Sequence, residues 1–111
     1  MTGPEEFESL LASAEGRCLE FKAASGGFHM EEMVKYCVAL ANEGGGTILL
    51  GVTDTRPRKV VGTQAFAEPG RTEAGLFERL RHPIPLEEYR HEGKRVLIAH
   101  VPARLPGTAG Q

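Results

Sequence analysis

Residues 39–54, Ala-Leu-Ala-Asn-Glu-Gly-Gly-Gly-Thr-Ile-Leu-Leu-Gly-Val-Thr-Asp, constrain the fold more than any other stretch of the 111-residue chain. Met30, Met33, Val34, Cys37, Val38 and Ala41 precede or enter it at helical spacing, which predicts a helix over 30–42. Gly44, Gly45 and Gly46 then offer the left-handed backbone that ends a helix, a conformation costly for any residue with a Cβ. Residues 47–52 are apolar and partly β-branched, as in a short strand covered on both faces. Glycines can cradle phosphate when they precede a helix N-terminus. These follow a helix C-terminus, where the dipole is negative, and the Lys-Ser/Thr ending of a P-loop is missing. They read as a tight chain reversal, not a nucleotide site.

The flanking segments extend this helix–turn–strand frame. Phe7, Leu10, Leu11 and Ala14 share one face of a helix over 4–14, whose first turn holds Glu5 and Glu6. Residues 17–22 read as a strand. Alternation sends Leu19 and Phe21 to the core and Glu20 and Lys22 together to the other face. Val60-Val61-Gly62 reads as a short returning strand after a basic turn, and Pro69-Gly70 as a turn. Ala74, Phe77 and Leu80 predict a helix over 73–81, ended by His82-Pro83. Residues 86–91 and 94–101 bracket Glu92-Gly93 as a hairpin. The pattern implies one α+β domain over 1–111: a small mixed β-sheet of five or six strands packed by two or three helices.

Composition bounds the functional classes. With 41% hydrophobic and 25% charged residues the chain is globular, not disordered. No apolar run approaches the roughly 20 residues of a membrane span, and the acidic N-terminus lacks a signal-peptide core. A cytoplasmic location without membrane partners is expected. Cys18 and Cys37 read as reduced, half-buried thiols. The four histidines are too dispersed for a zinc site. The net charge of −2 is divided unevenly, −6 over residues 1–54 and +4 over 55–111. Such asymmetry fits an acidic site beside a basic, anion-binding surface, or simply a solvated exterior.

Several motifs now stand in order: Glu15-x-x-x-x-Glu20-Phe21-Lys22, then Ala39-Leu40-Ala41-Asn42 with Gly45-Gly46, then Gly51-Val52-x-Asp54, Val61-Gly62, the Glu92-Gly93-Lys94 hairpin and the Val101-Pro102 exit. Together they resemble the Schlafen AlbA_2 domain from about Glu15 to Pro106. That family is usually described as DNA-binding and is common in bacterial transcriptional-regulator-like proteins. Two departures stand out. Glu43 and a third glycine replace the Thr or Ser that often follows the Ala-Asn pair. Family domains also commonly continue past the Val-Pro exit with further strands, so the chain reads as a compact member or as a piece of a longer protein.

The resemblance implies nucleic-acid binding, to DNA or RNA, by a transcriptional-regulator-like protein. Arg56, Arg58 and Lys59 at the basic turn would reach phosphates, with Arg79, Arg81, Arg90, Lys94 and Arg95 extending the surface. No base-reading helix and no aromatic stacking set is legible among five Phe, two Tyr and no Trp. Certain Schlafen proteins cut RNA with two glutamates and an aspartate. By motif these correspond to Glu15, Glu20 and Asp54, which would hold Mg²⁺ or Mn²⁺ through oxygen ligands. Lys22 would neutralise charge on the phosphoryl group. The plain alternative is that Glu20 and Lys22 form a surface pair worth about 0–1 kcal/mol. A protein-interaction or oligomerisation module is the remaining reading, and a homodimer would extend the charged surface.

Overall fold

The computed structural model describes residues 2–13 and 18–105. The elements run α1 (Pro4–Ala12), β1 (Leu19–Lys22), α2 (Met30–Asn42), β2 (Gly46–Leu50), α3 (Pro69–Leu80), β3 (Leu86–His91) and β4 (Lys94–Val101). This is the expected α+β domain. Its mixed sheet has the order β1-β2-β4-β3, with β1 parallel to β2 and β4 antiparallel to both neighbours.

Among the described residues the sheet has four strands, not five or six. The returning segment makes only the bridge Val52–Val60. The N–H groups of Val61 and Gly62 both converge on the Gly51 carbonyl, at 2.8 and 3.0 Å, instead of stepping along a ladder.

Alternation along β2 and β4 builds two cores. Ile48, Leu50, Leu97, Ala99 and Val101 face α2 and α3, where they meet Met33, Cys37, Leu40, Leu76 and Leu80. Leu49, Val52, Val96 and Ile98 face the other way with Phe21, and Phe7 of α1 seals them. β2 is therefore covered on both faces, as its unbroken apolar run requires. Each such side chain contributes about 1.5–3 kcal/mol on burial.

α2 ends where the glycines dictate. Gly45 N–H reaches Leu40 O at 2.8 Å and Gly44 N–H reaches Ala41 O at 3.1 Å, the paired bonds of a Schellman cap. Gly44 and Gly45 both take positive φ. A Cβ on Gly45 would also lie 2.9 Å from Val101 O, so the turn is packed as well as bent.

Several boundaries differ from expectation: β2 takes in the third glycine and spans Gly46–Leu50, not 47–52, and α3 ends at Leu80, not at 81. α1 ends at Ala12, and its continuation to Ala14 and the Arg17 start of β1 fall partly outside the described residues. α3 begins at Pro69 and takes in Gly70, because proline's fixed φ suits the first helical turn, where its missing N–H costs nothing. The cysteines are not alike. Cys18 is exposed, while Cys37 is buried in the core and burial pushes its thiol pKa up to about 12. No helix among the described residues is long and apolar enough to cross a membrane.

Candidate nucleic-acid interface

β1 sends Leu19 and Phe21 to the α1 side, so Glu20 and Lys22 project toward α2. The Lys22 ammonium lies 3.8 Å from a Glu20 carboxylate oxygen and 5.0 Å from the centre of the Tyr36 ring. Its hydrogen bond to the Tyr36 hydroxyl does most to raise its pKa above the ordinary lysine value. Partial burial opposes this, and the charges of Glu20 and Asp54 add to the rise. Glu20, Lys22 and Asp54 therefore share one electrostatic neighbourhood, at the C-terminal ends of β1 and β2. Glu15 lies outside the described residues. Among the described residues no three metal-ligating side chains gather. The oxygen-only donors Glu20 and Asp54 suit a hard cation in kind, and they supply two carboxylates of the three expected.

The basic residues separate into several groups. The Arg56 and Arg58 guanidinium groups both donate to Ser13 O, each at 2.6 Å, and Arg58 also donates to Leu11 O at 3.0 Å. α1 has no basic residue in its own last turn, so these arginines cap its negative end from across the fold. Arg58 also lies 4.0 Å above the buried Phe21 ring. The two arginines, Pro57, Glu8, Leu11 and Ala12 line an open groove of about 620 Å³. Lys59 and Lys94 are exposed, and Lys94 packs beside Gly62, bringing it next to the 51–62 segment that carries Lys59. Arg90, also exposed, stands opposite Arg95 at this end of the sheet. Arg79 and Arg81 do not join them. They sit where α3 leads to Leu86, which pairs with Ala99 at the far end of β4.

Arg95 must be withdrawn from the phosphate-contacting set. Its side chain is only 4% exposed. It donates to Glu88 at 2.6 Å and to the carbonyls of Thr63, Ala65 and Phe66 at 3.1, 2.8 and 2.8 Å. An arginine in an otherwise apolar strand reads as a surface cation from sequence alone; here it holds a loop from beneath.

That loop reveals what the sequence hid. Phe66 has φ 51°, a left-handed conformation costing about 1–2 kcal/mol for a residue with a Cβ. Its ring stands edge-on to Phe28, 6.4 Å between centroids, and Phe28 stacks at 6.1 Å on Tyr36. An aromatic set therefore exists beside Lys22, although none was legible. Tyr36 gave a faint signal, adjoining Cys37 on the flank of the buried helical stripe. Phe28 and Phe66 lie in loops without periodicity and gave none.

The family model described as Schlafen, AlbA_2 matches residues 15–108. Among solved structures, the DIP2311 protein from Corynebacterium diphtheriae is similar with a TM-score of 0.66 and 22% identity, over 88% of this chain and 24% of that one. The N-terminal domain of an ATP-dependent DNA helicase RecG-related protein from Nitrosomonas europaea is similar with a TM-score of 0.58 and 24% identity, over 86% of this chain and 69% of that one. At these identities the likeness is one of fold. No curated protein matches the sequence.

Proposed function

The chain belongs to the Schlafen AlbA_2 family, and on that premise we propose that it is a nucleic-acid-binding domain of a cytoplasmic, transcriptional-regulator-like protein. The observation that carries the reading is that the exposed Lys59 and Lys94 both border the 51–62 segment at one end of the sheet, with Lys22 at the same end on the α2 face. The Gly51 N–H bonds to Lys22 O, the Thr53 N–H bonds to Lys59 O, and Lys94 packs on Gly62. The Lys59 and Lys94 side chains make no hydrogen bond or ion pair among the described residues, which leaves both ammonium groups open to phosphate. The name of the Nitrosomonas europaea neighbour, a helicase-related protein, is in keeping with such a role.

The test is retention of labelled DNA and RNA at about 50 mM salt with release as salt rises. Lys59→Ala with Lys94→Ala should weaken retention of every sequence similarly, because phosphate contacts carry no base information. If nothing is retained at low salt, the proposal fails.

The meeting of Glu20, Lys22 and Asp54 favours a second reading, a metal-dependent endoribonuclease. Glu15, Glu20 and Asp54 would hold Mg²⁺ or Mn²⁺, which supplies Lewis acidity toward a phosphodiester. Lys22, kept protonated by its neighbours, would stabilise charge on the phosphoryl oxygens. Mn²⁺-dependent cleavage of structured RNA that disappears in Glu20→Ala would support it. Cleavage that survives the change would count against it. A stable oligomer with neither activity would favour an interaction module.

A further inference from the structure

We propose that Phe28, Tyr36 and Phe66 form a stacking platform for unpaired bases, so that the domain prefers single-stranded nucleic acid over a duplex. The inference rests on the nucleic-acid reading above and specifies its ligand. Three separate segments supply the rings: the loop before α2, α2 itself, and the loop before α3. Each ring is anchored against the larger core yet remains only half-buried. The second aromatic group, Phe7 with Tyr89 4.4 Å away, has its central ring fully buried under α1, as a purely structural cluster does.

Two devices hold the platform in place. The Arg95 guanidinium binds the carbonyls of Ala65 and Phe66, both at 2.8 Å, and so fixes the loop at the left-handed φ of Phe66. The Thr63 hydroxyl donates to Ala24 O at 2.8 Å, tying that loop to the segment that leads to Phe28. Arg95 is a positioning residue here and touches no ligand. The Lys22 ammonium lies over the Tyr36 ring, 5.0 Å from its centre, so it covers one face of that ring and supplies a cation for the phosphate of a strand stacked on Phe28 and Phe66. Every base has a π-face, so such a surface binds single strands with little sequence preference, and a duplex keeps those faces paired and stacked.

The experiment titrates the whole chain with fluorescein-labelled single strands of DNA and of RNA, with the matching duplexes, and with an abasic DNA strand of equal length, at about 50 mM salt. Single strands carrying bases should bind more tightly than both the duplex and the abasic strand; comparison of the DNA and RNA arms identifies the sugar preferred. Phe66→Leu and Phe28→Leu keep apolar volume but remove the π-face. Each should cost roughly five- to a hundredfold in single-strand affinity and leave duplex affinity unchanged. In Tyr89→Phe protein the remaining tyrosine is Tyr36, and bound single strand should quench its emission. This readout requires no change to the platform, so it holds even if a leucine variant misfolds. Equal affinity for abasic and base-bearing strands, or unquenched Tyr36 emission at saturation, would overturn the platform while leaving phosphate binding intact. Failure to bind any strand or duplex would instead remove the nucleic-acid reading and this inference with it.

Discussion

At the residue scale, two ionisable side chains hold distant segments together, and each gives a measurable expectation. Arg95 supplies donors to three loop carbonyls and to Glu88. Arg95→Met should cost about 2–4 kcal/mol in urea denaturation, because the carbonyls lose charged donors with little water to replace them. Glu88→Gln should cost far less, since Glu88 is 45% exposed and the carbonyl bonds survive. Equal losses for the two variants would show that the ion pair, not the loop, matters. Glu87 is the second case. Burial pushes its carboxyl pKa up, but the N–H and hydroxyl of Thr2 and the His100 ring outweigh this, and the net value falls below the ordinary 4.5. A carboxyl depressed in the folded state stabilises it above the unfolded pKa, and that contribution disappears as pH falls through the folded value. The stability gap between wild type and Glu87→Gln should therefore be full near pH 6 and close in acid below 4.5. A pH-independent gap would rule out this linkage.

At the element scale, α1 is the most instructive unit. Its nine residues are too few to be stable alone. It persists because Phe7 is fully buried against Phe21, Tyr89 and the β4 face, and because Arg56 and Arg58 cap its end. Phe7→Ala should cost about 3–5 kcal/mol. Arg58→Ala should cost less, yet should speed amide hydrogen exchange selectively in α1, since it removes the bond to Leu11 O, one of the two donors to Ser13 O and the cover over Phe21. Uniform acceleration over the whole chain would mean that α1 does not open separately. The glycine turn between α2 and β2 sets the other limit. Gly45→Ala imposes a Cβ at positive φ against the Val101 carbonyl, and should destabilise by about 1 kcal/mol or more, read as a shift in the urea midpoint with unchanged slope.

At the scale of the whole molecule, the uneven charge of the sequence is reorganised at one end of the sheet: Lys22 neighbours Glu20 and Asp54 on the α2 side, while Lys59 and Lys94 stand exposed beside the 51–62 segment. If Lys59 and Lys94 contact phosphate, replacing each with alanine should lower the slope of log affinity against log salt by about one. An unchanged slope would relocate the phosphate contacts. The sequence by itself determined the helix 30–42, the strand after its glycines, the hairpin bounds at 86–91 and 94–101, and the family. These follow from local causes: apolar periodicity, backbone freedom at glycine, and short motifs in order. It also indicated that Glu20 and Lys22 share a face, because strand alternation is local. Only the tertiary structure decided which cations stay free. Arg95 turned inward because alternation sets it on the face of Leu97 and Ala99, under the loop whose carbonyls it binds, and Arg58 turned to α1, whose last turn has no basic residue of its own. Only the fold brought Phe28, Tyr36 and Phe66 beside Lys22, since contacts between loops depend on how the elements pack and leave no period in the chain.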